Sequence, residues 1–128
     1  VSNYGVVGFI QDAAEYALHL GTRAFISVSA PFERRRKLAL DILKEFPQIN
    51  VIPPQGAMYL MVDIRSTGLN GEAFANALLE QRKIAVMPGE SFGAAAAGHI
   101  RVAMTVEDAL FSKALKSLCD FATNLASK

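Results

Sequence analysis

The hydrophobic pattern first changes period, sharply, between Phe46 and Asp63, and that change excludes an all-helical fold. Before it, apolar side chains recur at helical spacing. Ile10, Ala14, Ala17 and Leu18 mark a helix over residues 6–20, with Gly21 just past its end. Phe32, Ala39, Ile42, Leu43 and Phe46 mark a second, which Ser29, Ala30 and Pro31 are expected to open and Pro47 to stop. In the segment NVIPPQGAMYLMVDI two prolines and Gly56 punctuate the chain, and residues 57–63 then read as a mostly buried strand.

Helices and strands alternate from there on. Gly68 and Gly71 signal a loop, and Asn70 is placed to cap a helix that ends near Gln81 and buries Phe74 and Leu78. Residues 83–87 (KIAVM) form a short strand candidate, ended by Pro88 and Gly89. Residues 99–104 alternate strictly: His99, Arg101 and Ala103 share one face, while Ile100, Val102 and Met104 share the other. Thr105 is then expected to cap a last helix to about Ala126, with Asp108 echoing a capping box. Phe111, Leu115, Leu118, Ala122 and Leu125 give that helix its apolar stripe. The order α-α-β-α-β-β-α predicts an α+β fold, a small mixed or antiparallel sheet packed against helices. The first helix has few evident partners in the rest of the chain.

Composition narrows the function classes. Of 128 residues 52% are hydrophobic and 20% charged, which predicts a folded, water-soluble body rather than a disordered chain. A formal net charge of +1 recommends neither a nucleic-acid nor a membrane partner. The basic run ERRRK, Glu33 to Lys37, projects all around a helix axis and forms no stripe, so it reads as a solvated helix face. No apolar run nears the roughly 18 residues of a membrane span, and no basic stretch followed by an apolar block marks a signal peptide. The single cysteine, Cys119, lies in an apolar helical pattern, as a small buried hydrophobe would. It forbids an intrachain disulfide and fits a cytoplasmic location. His19 and His99 lack partners at metal-ligand spacing. A start at Val1 rather than methionine fits a piece of something longer, and fits ordinary processing equally well.

One residue invites chemistry. Arg101 stands between Ile100 and Val102, after the stretch MPGESFGAAAAG, whose glycines let a ligand approach the backbone. A strand tolerates arginine on a wet face. A guanidinium also forms two parallel charge-assisted bonds to a carboxylate, a geometry lysine cannot copy. The residues alone leave both readings open.

The ordered set Pro54-x-Gly56-Ala57-x-Tyr59, then GEAFANALLEQRKIAVMPGESFG, then GHIRVAM resembles the C-terminal part of class I aminotransferases, the pyridoxal phosphate enzymes of fold-type I. The segment FERRRKLALDIL resembles the point where that family's long helix enters its small domain, and VSNYGVVGFIQDAAEYAL resembles a stretch after the cofactor-binding lysine. The resemblance covers essentially the whole chain. It implies that residues 1–30 belong to the large domain and residues 31–128 to the small domain of an aspartate aminotransferase-like enzyme. It makes Arg101 the grip on the substrate α-carboxylate, and makes Gly56, Met58, Pro88, Gly89 and Phe92 residues that shape the site. The Schiff-base lysine has no counterpart, nor have the residues that contact the cofactor ring. The resemblance therefore implies pyridoxal phosphate in the full-length enzyme, none bound by this chain alone, and no transamination by it. Amino acids and 2-oxo acids are the implied substrates and a homodimer the implied assembly. A stand-alone, non-catalytic module with the same fold, binding a ligand or regulating a partner, is the alternative.

Overall fold

The computed structural model describes residues 5–127. They form α1 (Gly8–His19), α2 (Thr22–Leu43), β1 (Asn50–Ile52), β2 (Tyr59–Asp63), α3 (Gly71–Arg82), β3 (Met87–Pro88), β4 (His99–Ala103) and α4 (Asp108–Ala126), with short 3-10 turns at Arg65–Thr67, Gly89–Phe92 and Ala94–Ala96. The chain divides into two compact units, Val1–Pro31 and Phe32–Lys128.

In the first unit, α1 buries none of its side chains; Phe9, Tyr16 and Leu18 are each more than two-thirds exposed. Helix α2 begins here. It does not start at Pro31, as the sequence pattern predicts, but nine residues earlier, and runs straight through the proline. Proline has no N–H to give to the carbonyl four residues back, so the helix loses one rung at that point. The hydroxyls of Ser27 and Ser29 bond back to the carbonyls of Ala24 (2.8 Å) and Ile26 (3.3 Å) just before it. The boundary between the two units falls directly after Pro31.

The second unit is an antiparallel four-stranded sheet of order β1-β2-β4-β3, with helices on one face. The strand alternation read from the sequence sets that face. Leu60 and Val62 of β2 and Ile100 of β4 point inward and are fully buried against Phe74 and Leu78 of α3 and Phe111, Leu115, Leu118 and Ala122 of α4. Ala39, Ile42 and Leu43 of α2 complete the core. The rings of Phe74 and Phe121 meet at 5.5 Å, locking α3 to α4. Cys119 is buried as expected, and burial raises its thiol to about 12, which leaves it unreactive at neutral pH.

Three local readings need correction. The sheet has a strand more than the sequence pattern shows, because β1 is only three residues long and ends at Pro53, too short for alternation to register. Strand β3 is not residues 83–87. Lys83 takes the left-handed conformation that ends α3 (φ 57°), residues 84–86 pair with no strand among the described residues, and only Met87 and Pro88 join β4. Asn70 caps α3 as expected, accepting from the Ala73 amide at 2.8 Å. The cap of α4, however, is Glu107, accepting from the Leu110 amide at 2.8 Å, rather than Thr105.

Asp108 has other duties, and they change the reading of ERRRK. Its two oxygens accept from Arg34 Nε at 2.6 Å and Arg35 Nε at 2.7 Å. Arg35 also donates to the Met104 carbonyl at 2.9 Å, and Arg36 donates to the Pro54 carbonyl at 2.6 Å. With 13% of its side chain exposed, Arg35 ties α2 to the start of α4 rather than facing solvent. Those bonds hold the Asp108 carboxyl below its usual range.

Candidate functional site

The outward face of the sheet carries the chemistry. Antiparallel register sets Met61 of β2 and Met87 of β3 directly beside Arg101 of β4, and Tyr59 beside Ala103. Facing residues share a side of the sheet, so Tyr59, Met61, Met87 and Arg101 look out together. Tyr59, Met61 and Met87 make this face apolar beside the half-buried Arg101, and the pair Asp63 and His99 follows on the same side.

Two aromatic rings hold that cation. The guanidinium carbon of Arg101 lies 4.2 Å from the ring centroid of Tyr59 and 4.2 Å from that of Phe92. Two rings at that distance stabilise the charge through their quadrupoles and narrow the rotamers of the side chain. The N–H groups along the guanidinium edge are where an anion would bind.

No carboxylate among the described residues takes that edge, because the nearby acids are engaged elsewhere. Asp63, across the ladder from His99, is held by Arg65: Nη2 to Oδ2 at 2.6 Å, Nε to Oδ1 at 2.9 Å and the backbone amide to Oδ1 at 3.0 Å. Glu90 Oε1 accepts from the amides of Gly71 at 3.0 Å and Gly98 at 3.1 Å. Asp108 serves Arg34 and Arg35. A half-buried guanidinium beside two rings, with no carboxylate partner among the described residues, can accept a planar anion.

Asp63 also yields a prediction. The hydrogen bonds from Arg65, helped by that charge and by His99, lower its carboxyl to about 2, although burial opposes them. A depressed folded-state pKa adds stability that is complete above the ordinary carboxyl value near 4 and disappears as the pH falls toward 2. Thermal melts between pH 6 and pH 2 should show the wild type losing stability more steeply below pH 4 than Asp63→Asn. Parallel curves would refute this.

The other residues expected in the site fall into three groups. Phe92 stacks on Arg101, as described. Pro88 pairs with Ile100, and Gly89 is buried with no space for a side chain: an added Cβ would overlap the Ala96 carbonyl oxygen and lie 2.7 Å from that of His99. Met58 is 37% exposed beside Tyr59, and its carbonyl accepts from the Met104 amide at 2.8 Å, extending the β2–β4 ladder. Gly56 has nothing within 4 Å of where a Cβ would stand; the left-handed residue in that bend is Ala57, with φ 60°. Sequence reasoning gives no role to Tyr59 or Glu90. Tyr59 becomes visible only through the β2–β4 register, and Glu90 only through its reach across 19 residues to Gly71.

A concavity of about 480 Å³ lies elsewhere in this unit, between Ile84, Val102 and Leu110, with Arg82, Lys83 and Lys113 along it. Its lining includes no carboxylate and neither ring that stacks on Arg101, so the open sheet face is the better candidate for chemistry. Among the described residues, no group of three His, Cys, Asp or Glu side chains is placed to hold a metal ion, and no helix is long and apolar enough to cross a membrane.

Comparison with known proteins gives this geometry a context. The sequence model of the family "Aminotransferase class I and II" matches residues 10–118. An arginine–pyruvate transaminase of Pseudomonas aeruginosa is 42% identical over 103 residues, 80% of this chain and 26% of that protein. An aspartate aminotransferase of Pyrococcus horikoshii is 34% identical over 99 residues, 76% of this chain and 25% of that one. Among solved structures, an aromatic aminotransferase from Pyrococcus horikoshii superposes with a TM-score of 0.76 at 31% identity, covering 91% of this chain and 31% of the other. The chain thus spans about a quarter of the length of the curated relatives it matches.

Proposed function

The chain belongs to the class I and II aminotransferases, and on that premise we propose that it is the C-terminal part of a pyridoxal phosphate-dependent transaminase, supplying the grip on the substrate α-carboxylate. The observation that carries this is Arg101: a cation 4.2 Å from each of two ring centroids, with Asp63 and Glu90 already bonded elsewhere. Residues 1–30 would belong to the large domain of that enzyme, where the exposed apolar side chains of α1 find cover, and residues 31–128 to its small domain. The relatives bear arginine, aspartate and aromatic amino acids in their names, so the reading extends to amino acid and 2-oxo acid as classes and no further. A homodimer in the cytoplasm is part of the same proposal.

The residues described do not fit the cofactor. Lys37 is bound to Glu33 at 3.2 Å and Lys44 to Asp41 at 2.7 Å, and Lys83 donates to the Glu80 carbonyl at 3.0 Å. Lys113 and Lys116 belong to α4, which packs on the inner face of the sheet, away from Arg101. Lys128 lies outside the described residues. Pyridoxal phosphate, held by other parts of the polypeptide, would supply the electron sink for chemistry at the substrate Cα. This chain alone is therefore proposed to be inactive.

What its own residues do is bind and orient. A carboxylate taking both N–H groups on the open edge of Arg101 is fixed in the plane of the guanidinium, and so is the direction of the Cα bonds beyond it. Tyr59, Phe92 and Met87 are exposed in this chain, so water would leave those N–H groups only when the rest of the enzyme covers this face, which would strengthen both bonds.

The test is the reading frame upstream of Val1. A frame continuing into a serine-rich motif with a lysine, followed by Gly-x-Arg, supports the proposal. An initiating methionine and ribosome-binding site directly before Val1 would overturn the catalytic reading.

A further inference from the structure

Glu90 does not touch Arg101, yet it governs the segment that covers it. One oxygen, Oε1, accepts from the first residue of α3 (Gly71, 3.0 Å) and from the residue that leads into β4 (Gly98, 3.1 Å). The same carboxylate therefore binds the 3-10 turn at Gly89–Phe92 to two separate elements of the fold. The approach is so close that a Cβ on Gly71 would overlap Glu90 Oε2 and stand 2.8 Å from the His99 carbonyl. Gly89, the preceding residue, is packed under the Ala96 and His99 carbonyls. The segment 89–98 is thus fastened at its start by Gly89 and across its ends by the bond from Gly98 to Glu90. Phe92 sits two residues beyond Glu90 in the same turn, 4.2 Å from the guanidinium of Arg101.

From this juxtaposition we infer that Glu90 is a positioning residue for the carboxylate grip: by pinning the 89–92 turn to Gly71 and Gly98 it sets Phe92 over Arg101 and so preorganises the guanidinium edge for its anion. The inference rests on the reading that Arg101 binds the substrate carboxylate. Glu90 suits the task because its charge is spent on two amides and does not compete for Arg101. Without those bonds the turn loosens, Phe92 leaves one face of the guanidinium, and the side chain regains rotamers that a bound carboxylate must then remove.

The experiment is an NMR titration of the complete polypeptide with pyruvate at constant ionic strength, following the Arg101 Nε–Hε resonance. Thermal melts establish that each variant is folded. Wild type should show a saturable shift, absent with chloride alone. Glu90→Ala should weaken the pyruvate Kd about five-fold, the scale of one rotamer-rich side chain that binding must immobilise again, and Glu90→Gln, which keeps an acceptor oxygen, should stay within about two-fold. Because the effect is transmitted by the ring, Glu90→Ala should cost nothing further in a Phe92→Leu background. If alanine proves unfolded, Glu90→Asp takes its place; it keeps the charge but is one methylene short of both amides, and should weaken binding while glutamine does not. Wild-type affinity in folded Glu90→Ala or Glu90→Asp, or additive losses in the double variant, would overturn the inference while leaving Arg101 as the binding group. No pyruvate-dependent shift in wild type would instead overturn the reading of Arg101, and this inference with it.

Discussion

In the complete polypeptide, replacing Arg101 with alanine is expected to lower kcat/KM for amino acid and 2-oxo acid by roughly two to four orders of magnitude while leaving the cofactor bound. Two shielded, charge-assisted hydrogen bonds contribute about 1.5–3 kcal/mol each, so their joint loss is roughly 3–6 kcal/mol. At about 1.4 kcal/mol per tenfold change that spans the stated range. The loss should divide. Weaker carboxylate binding raises KM, and a substrate no longer held in one orientation lowers kcat. Arg101→Lys separates charge from geometry. Lysine keeps a cation but has neither the fork nor a flat face to lie between Tyr59 and Phe92, so most of the loss should remain. Visible absorbance of the bound cofactor should match wild type in both variants, since the described residues give Arg101 no part in holding it. An unchanged kcat/KM in Arg101→Ala would remove the carboxylate role altogether.

Why Arg101 was legible, and its surroundings only partly so, follows from the range over which each signal acts. Strand alternation is local. It puts Arg101 opposite to Ile100 and Val102 in the sequence, and the structure keeps it there, with Ile100 fully buried. The apolar stripe of α4 and the Asn70 cap are equally local, and both hold. The misreadings arise where a tertiary contact outweighs a local preference. Pro31 looks like a helix start because proline favours a first turn, but the helix extends back past it with one missing rung. Asp108 looks like half of a capping box, but two arginines 74 and 73 residues away claim its oxygens, and Glu107 caps instead. The same pairing makes Arg35 a tether, while Glu33, Arg34 and Lys37 of that basic run stay exposed as a solvated helix face would. Tyr59 and Glu90 lie beyond local reading for this reason: one depends on the β2–β4 register, the other on a loop folding back to the start of α3. The resemblance found Phe92 and Gly89 as parts of one motif without distinguishing their jobs. In the fold one covers the cation and the other lets backbone meet backbone.

That difference supplies the second large effect. Gly89→Ala should destabilise the Phe32–Lys128 unit by about 3 kcal/mol, the upper end for overpacking, because the added methyl meets two backbone carbonyls rather than a side chain that can swing away. For a body of roughly 100 residues, a change of that size lowers Tm by about 12–20 °C. Relief would require the 94–98 segment to move outward, which would also loosen the Glu90–Gly98 bond and the seat of Phe92. The variant should therefore lose carboxylate affinity even below its Tm, a coupling that instability elsewhere in the core would not produce. Gly56→Ala is the matched control. It too lies in a segment that the family resemblance assigns to the site, but a Cβ there enters open space, and its backbone needs no left-handed φ. Its Tm should stay within a few degrees of wild type, since surface changes of this kind fall within about 0.5 kcal/mol. Urea and thermal melts of the two variants side by side decide the matter. Equal stabilities would mean that the carbonyls of Ala96 and His99 yield easily and that Gly89 is present for another reason. A wide gap would mean that this glycine acts on the site through the packing of the loop above it.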